Sequence, residues 1–260
     1  MEYPLNSLHK LRFDRLCRDA MLARPDSGEG IGTLGEKRMH AIIKQFLCAD
    51  TACQEVKLSG TRFVSDIRIG NEIYEVQTGS FFPMKRKIAY YLEHTDCTVT
   101  IVHPIPVLRW MSWVDPVSME IHPRRRVPRV GRPADLLPEL FSLLPHLQNP
   151  RLRYQLLLLE TQDFRLLDGT SPDRKQHATH YERIPLSLQG EMVFSSPADL
   201  RILIPDDLPA HFTVKQFSAR SKLRGRDAYS AVRALVGLGL AVEAEPIGRS
   251  MGFRRTDTAD

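Results

Sequence analysis

The sequence lacks an apolar run long enough to cross a bilayer as a helix. Its most continuous stretch, Leu156–Leu159, falls far short of the roughly 20 residues a span requires. The first residues, Met1-Glu2-Tyr3-Pro4, lack the charged-then-apolar layout of a secretory signal. The expectation is a cytoplasmic protein with no membrane partner. Cysteine is also scarce: Cys17, Cys48, Cys53 and Cys97 are the only four. Cys48 and Cys53 are close in sequence, but no second Cys/His pair stands at zinc-finger spacing, which argues against a structural zinc site. Reduced, mostly buried thiols are the expected state. Acidic residues are missing from His122 to Arg132, where Arg124, Arg125, Arg126, Arg129 and Arg132 gather.

With 260 residues, 42% hydrophobic and 26% charged, the chain has an ordinary globular composition and room for one to two domains. Its net charge of +5 permits a polyanionic partner. A second basic cluster runs from Lys215 to Arg233, where Lys215, Arg220, Lys222, Arg224, Arg226 and Arg233 meet one acid, Asp227. Two such clusters are what phosphate neutralisation calls for, although each also suits a solvated surface.

Apolar spacing predicts a surface helix over Leu5–Leu22 and a second helix from Thr33 through Leu47, with Glu36 three residues after a Thr33 cap. The period then changes to two. Residues 55–58, 63–69 and 72–76 read as strands, the last two joined at Gly70-Asn71 as a hairpin. A helix follows from about Pro83 to Glu93, then a buried strand at 98–103. This order predicts an α/β fold with a mixed central sheet flanked by helices. Nine prolines between Pro104 and Pro150 are expected to exclude long regular elements there. Asp135–Leu147 reads as a short helix, Tyr154–Leu159 as a buried strand and 168–175 as a polar loop. Trp110 and Trp113 fit core positions best, with an interface or base stacking as alternatives.

The last segment has helical patterns at 213–217 and 226–238, a turn at Lys222–Gly225, and strand patterns at 240–244 and 251–255. Helix, turn, basic helix and β-hairpin predict a winged helix-turn-helix. The domain expectation is therefore 1–190, with a Pro-rich extension from about 104, and 191–260. In the second module Lys222, Arg224, Arg226, Arg233, Arg254 and Arg255 are candidate DNA contacts, as are Arg124, Arg125 and Arg126 upstream.

Chemistry concentrates elsewhere. Residues two apart on a strand share a face, so Glu75 and Gln77 point together, and the hairpin brings Asp66 alongside. Buried carboxylates are costly unless paired or bound to a cation, and magnesium or manganese favours such oxygens. Glu36 can add a third carboxylate. Lys85, Arg86 and Lys87 open the next helix, where an ammonium can steer phosphate or hold a water. The bland alternative is that Asp66 accepts backbone hydrogen bonds and Glu75 pairs with Arg68.

Glu36 on a helix, Asp66 on a strand, Glu75-Val76-Gln77 on the next, then a helix and a strand resemble the core of the PD-(D/E)XK nuclease superfamily over about residues 30–103. The resemblance implies a restriction endonuclease-like fold, with Asp66 and Glu75 as ligands of Mg2+ or Mn2+ and Glu36 assisting. It departs from the pattern twice: Ser65 stands at the name-giving Pro, and Gln77 at the Lys. The resemblance then implies that Lys85 or Lys87 supplies the missing ammonium while Gln77 orients the attacking water. The expected function is a metal-dependent DNA endonuclease guided by the winged helix, compatible with a homodimer. The alternatives are a non-catalytic DNA-binding regulator on an inactivated nuclease core and, more weakly, an RNA substrate.

Overall fold

The structure, a computed structural model, describes residues 3–22, 35–58, 60–128, 130–169 and 178–256, without the side chains of 35–37. The fold is α/β, with a mixed seven-stranded sheet flanked by helices. Its strands are β1 (Gln54–Lys57), β2 (Val64–Ile69), β3 (Glu72–Val76), β4 (Thr98–Val114), β5 (Arg125–Arg126), β6 (Leu152–Leu166) and β7 (Thr179–Phe194). They lie in the order β1-β2-β3-β4-β6-β7, and β5 pairs with β4. Hairpin partners β2 and β3 are antiparallel, whereas β3 and β4 are parallel. The chain divides into two compact units, each assembled from separate segments.

The first unit comprises 1–54, 104–132 and 156–192. It contains α1 (Ser7–Leu22) and α2 (Gly35–Leu47), which pack through Phe13 and Phe46, edge to face at 5.2 Å. Polar groups of α1 serve the edge strand β7: Lys10 Nζ donates to Leu188 O at 2.9 Å, and Leu188 N–H donates to Asp14 Oδ1 at 2.9 Å. Pro4 O takes the Glu191 N–H. An open sheet edge would otherwise expose these groups to another chain.

The second unit comprises 55–103, 133–155 and 193–260. It holds α3 (Lys85–His94) after a 3-10 turn at Phe82–Met84, α4 (Leu136–Leu140), α5 (Val214–Ser221), α6 (Gly225–Gly237) and a three-stranded sheet. That sheet has β10 (Ser250–Arg255) between β8 (His211–Thr213) and β9 (Ala241–Ile247). Residues 193–260 thus share a compact unit with 55–103. Thr213 caps α5, and its side chain and that of Gln216 satisfy each other's backbone N–H groups. Lys222, at φ 64°, turns the chain toward α6.

The expectation that prolines exclude long elements after residue 103 is corrected, because β4 runs 17 residues through Pro104 and Pro106. Val102 O accepts the Gln77 N–H on the β3 side, and Pro106 O accepts the Gly131 N–H. Even-numbered positions here face that side, where β3 has ended and β5 pairing has not begun. The missing proline N–H groups therefore cost no ladder bond. The strand expected at 154–159 extends across 15 residues as β6, and β7 was not anticipated. The helix expected over 135–147 is α4 followed by a 3-10 segment, Phe141–His146, that contains Pro145.

Candidate active site

Between Gly70 and Asn71 the chain reverses, and β2 pairs with β3 from Ile69↔Glu72 to Ile67↔Tyr74. At the next position the ladder gives way. The Asp66 carboxylate, rather than a backbone carbonyl, takes the Val76 N–H, at 2.8 Å from Oδ2. Asp66 thereby replaces a strand's acceptor and places its charge beside Glu75.

Glu75 is 3% exposed, with fully buried Ile73 and Ile101 nearby on β3 and β4. Lys87 Nζ lies 2.5 Å from Glu75 Oε2, and Tyr91 Oη donates to Oε1 at 2.9 Å. Lys87 and Tyr91 are four apart on α3 and so share one face. Burial pushes the Glu75 carboxyl up to about 7, against the opposing pull of Lys87, and the nearby Asp66 charge adds to the rise. Tyr91 is raised well above an ordinary phenol, through burial first and Glu75 second. The phenol therefore stays a donor at any physiological pH.

Lys87, and not Lys85, is the ammonium brought to Glu75. Lys85 is exposed and two positions away on the helix, where side chains do not face together. Gln77 is turned to a local task, its Nε2 donating to Ser80 O at 2.7 Å. Its backbone carbonyl accepts from His103 Nδ1 at 2.5 Å. Burial pulls the His103 pKa down, and because a carbonyl only accepts, Nδ1 carries a proton. Glu36 belongs to α2, but its side chain lies outside the described residues. Sequence reasoning missed Tyr91. The available signal was its four-residue spacing from Lys87 in an amphipathic helix.

Asp66 and Glu75 offer hard oxygen donors that fit a divalent cation keeping several waters. Among the described residues, no three His, Cys, Asp or Glu side chains gather into a metal-binding group.

The expected nucleic-acid residues divide by environment. Arg124, Arg125 and Arg126 are exposed. Arg124 stacks over the Trp110 ring at 4.7 Å and Arg125 over Trp113 at 5.3 Å, while β5 aligns Arg126 with Trp110. Lys222, Arg224, Arg226 and Arg254 are exposed as well. Arg233 is ion-paired to Glu243 on β9, and Arg255 Nη1 donates to Leu208 O at 2.9 Å.

The fold and site define an α/β protein with a buried carboxylate held between an ammonium and a phenol. The chain belongs to the family described as a domain of unknown function, DUF8091, whose model matches residues 37–195. That span runs from α2 through β7. The chain matches no curated protein and no solved structure. No helix among the described residues is long and apolar enough to cross a membrane.

Proposed function

We propose that this chain is a metal-dependent DNA phosphodiesterase with a restriction endonuclease-like core and a winged-helix module in residues 191–260. One observation carries the reading: Asp66 and Glu75 stand together at the end of the β2–β3 ladder, with Lys87 on Glu75 Oε2. Lys87 would take the role that the PD-(D/E)XK resemblance gives to a lysine where this chain has Gln77. Asp66 and Glu75 would hold Mg2+ or Mn2+, which lowers the pKa of a bound water and offsets charge on phosphate. Lys87 would help to neutralise the phosphoryl oxygens. Tyr91 fixes Oε1, so the carboxylate keeps one orientation. A short helix, a left-handed turn at Lys222, the basic start of α6 and a two-stranded hairpin support the winged-helix assignment.

Supercoiled plasmid with Mg2+, Mn2+ or EDTA tests the reading. Metal-dependent nicking is expected, and it should disappear in Asp66→Ala and Glu75→Gln. Nicking that survives both substitutions removes the site. Metal binding is read separately: Mg2+ should raise the melting temperature of the native chain and not of Asp66→Ala.

A second reading, a DNA-binding regulator on an inactive core, is favoured by the Lys87–Glu75 pair itself. The ammonium already compensates the carboxylate that a cation would need. DNA binding without cleavage in either metal would select it.

A further inference from the structure

The first unit holds a thiol pair that the Asp66 and Glu75 chemistry does not use. Cys48 follows α2, and Cys53 ends the 3-10 turn Thr51–Cys53, which Asp50 caps by taking the Ala52 N–H at 2.9 Å. Asp50 also accepts from both thiols. Cys48 Sγ lies 3.6 Å from its carbonyl oxygen, and Cys53 Sγ lies 3.8 Å from its Oδ2. Beyond Cys53 the chain comes back past Cys48, since Gln54 Nε2 donates to Cys48 O at 2.8 Å. The Cys53 thiol interacts with the Cys48 side chain as well. Both cysteines are free and only half-buried, whereas Cys17 and Cys97 are free and buried. A small reagent therefore meets the first two thiols before the others.

We propose that Cys48 and Cys53 are a redox modification site, oxidised to an intramolecular disulfide by exchange with a small-molecule disulfide such as oxidised glutathione. One turn holds the two thiols against a common acceptor, which meets the need of a disulfide for closely spaced side chains. The Cys48 thiolate attacks one sulfur of the reagent and expels the other as a thiolate, leaving a mixed disulfide. The Cys53 sulfur then attacks Cys48 Sγ and expels the second reagent thiolate. The protons lost by the two cysteines go to the two leaving thiolates. Two protein thiols are thus oxidised as one reagent disulfide is reduced. The order follows from the surroundings of each thiol. Cys53 points its S–H at a carboxylate, and burial and the Asp50 charge raise its pKa, so it reacts second. The Cys48 S–H meets a neutral carbonyl instead. Oxidation removes both thiol donors from Asp50 and ties the end of α2 to the turn before β1.

The test incubates the folded full chain in glutathione buffers of rising oxidised fraction, quenches with iodoacetamide and reads intact and peptide masses. The native chain should lose the mass of two hydrogens, with the new bond mapped to Cys48 and Cys53. Cys17 and Cys97 should be alkylated only after unfolding. Cys53→Ser should stop at the mixed disulfide on Cys48. Cys48→Ser should take glutathione on Cys53 about tenfold more slowly, and Asp50→Asn in that background should remove most of the lag. Three results overturn the site: a native chain that stays reduced, one that accumulates only glutathione adducts, or a Cys48–Cys53 bond that forms only in urea. Equal rates for the two serine variants overturn the order of attack. Plasmid nicking has no part in these readouts, so loss of the hydrolytic reading leaves the result standing.

Discussion

Lys87 Nζ and Glu75 Oε2 are 2.5 Å apart, in a pair whose carboxylate is 3% exposed and whose ammonium retains 20% exposure. The asymmetry sets what each substitution does. Lys87→Met leaves the carboxylate buried without its cation, and Glu75 responds by keeping its proton. With the native carboxyl at about 7, the cost at pH 8 is limited to about 1–2 kcal/mol. At pH 5 it should nearly vanish. Urea unfolding of the two proteins at both pH values measures this, and an equal loss at each would break the argument.

The raised Glu75 carboxyl also makes a direct statement about pH and stability. Its folded value of about 7 exceeds the ordinary 4.5, so between these values the folded chain holds a proton that the unfolded chain has released. Stability contributed by this group is therefore present below pH 4.5 and lost as pH rises through 7. The full loss is about 3 kcal/mol. In EDTA, Glu75→Gln should remove that dependence, so the variant gains on the native chain from pH 5 to about 7 and the difference then levels off toward pH 8. A pH-independent difference between them would mean the carboxyl titrates normally.

The part of the fold set by local pattern was readable from the sequence. Gly70-Asn71 announces the hairpin, and the alternation around Asp66 and Glu75 places both carboxylates. What depended on partners distant in sequence was not. Pro104 and Pro106 look like breakers until it is known which side of β4 lacks a neighbour. β7 carries charges that a period-two reading discounts, yet Asp163 on β6 holds both Arg109 and Arg183. Choosing Lys87 over Lys85 likewise required the rotation of α3 about its own axis.

The C-terminal sheet contains a position that tolerates nothing larger than glycine. A Cβ at Gly252 would lie 2.0 Å from Glu245 O and 2.6 Å from His211 Nε2. The first neighbour is backbone, so the β9–β10 strands must part to admit a methyl group. Gly252→Ala should cost about 2–3 kcal/mol, seen as a lower urea midpoint, together with weaker DNA binding if this hairpin is a wing. A neutral substitution would show that β10 shifts its register at the Ser250/Gly252 irregularity.

The basic residues of α6 and its N-terminal flank should separate by what already holds them. Arg233 is committed to Glu243 across the helix–strand contact, whereas Arg224 is exposed just before the helix and has no ion pair among the described residues. On the proposed winged-helix reading, Arg224→Ala should therefore weaken duplex binding and lower the salt slope by about one, the signature of a lost phosphate contact. Arg233→Ala should instead leave affinity close to native while removing an exposed ion pair worth about 0.2–1 kcal/mol. Fluorescence anisotropy at several salt concentrations, run beside urea unfolding, distinguishes the two residues. If Arg233→Ala loses as much affinity as Arg224→Ala at unchanged stability, then Glu243 is a resting partner that DNA displaces. The outward face of α6 would then be longer than its free charges suggest.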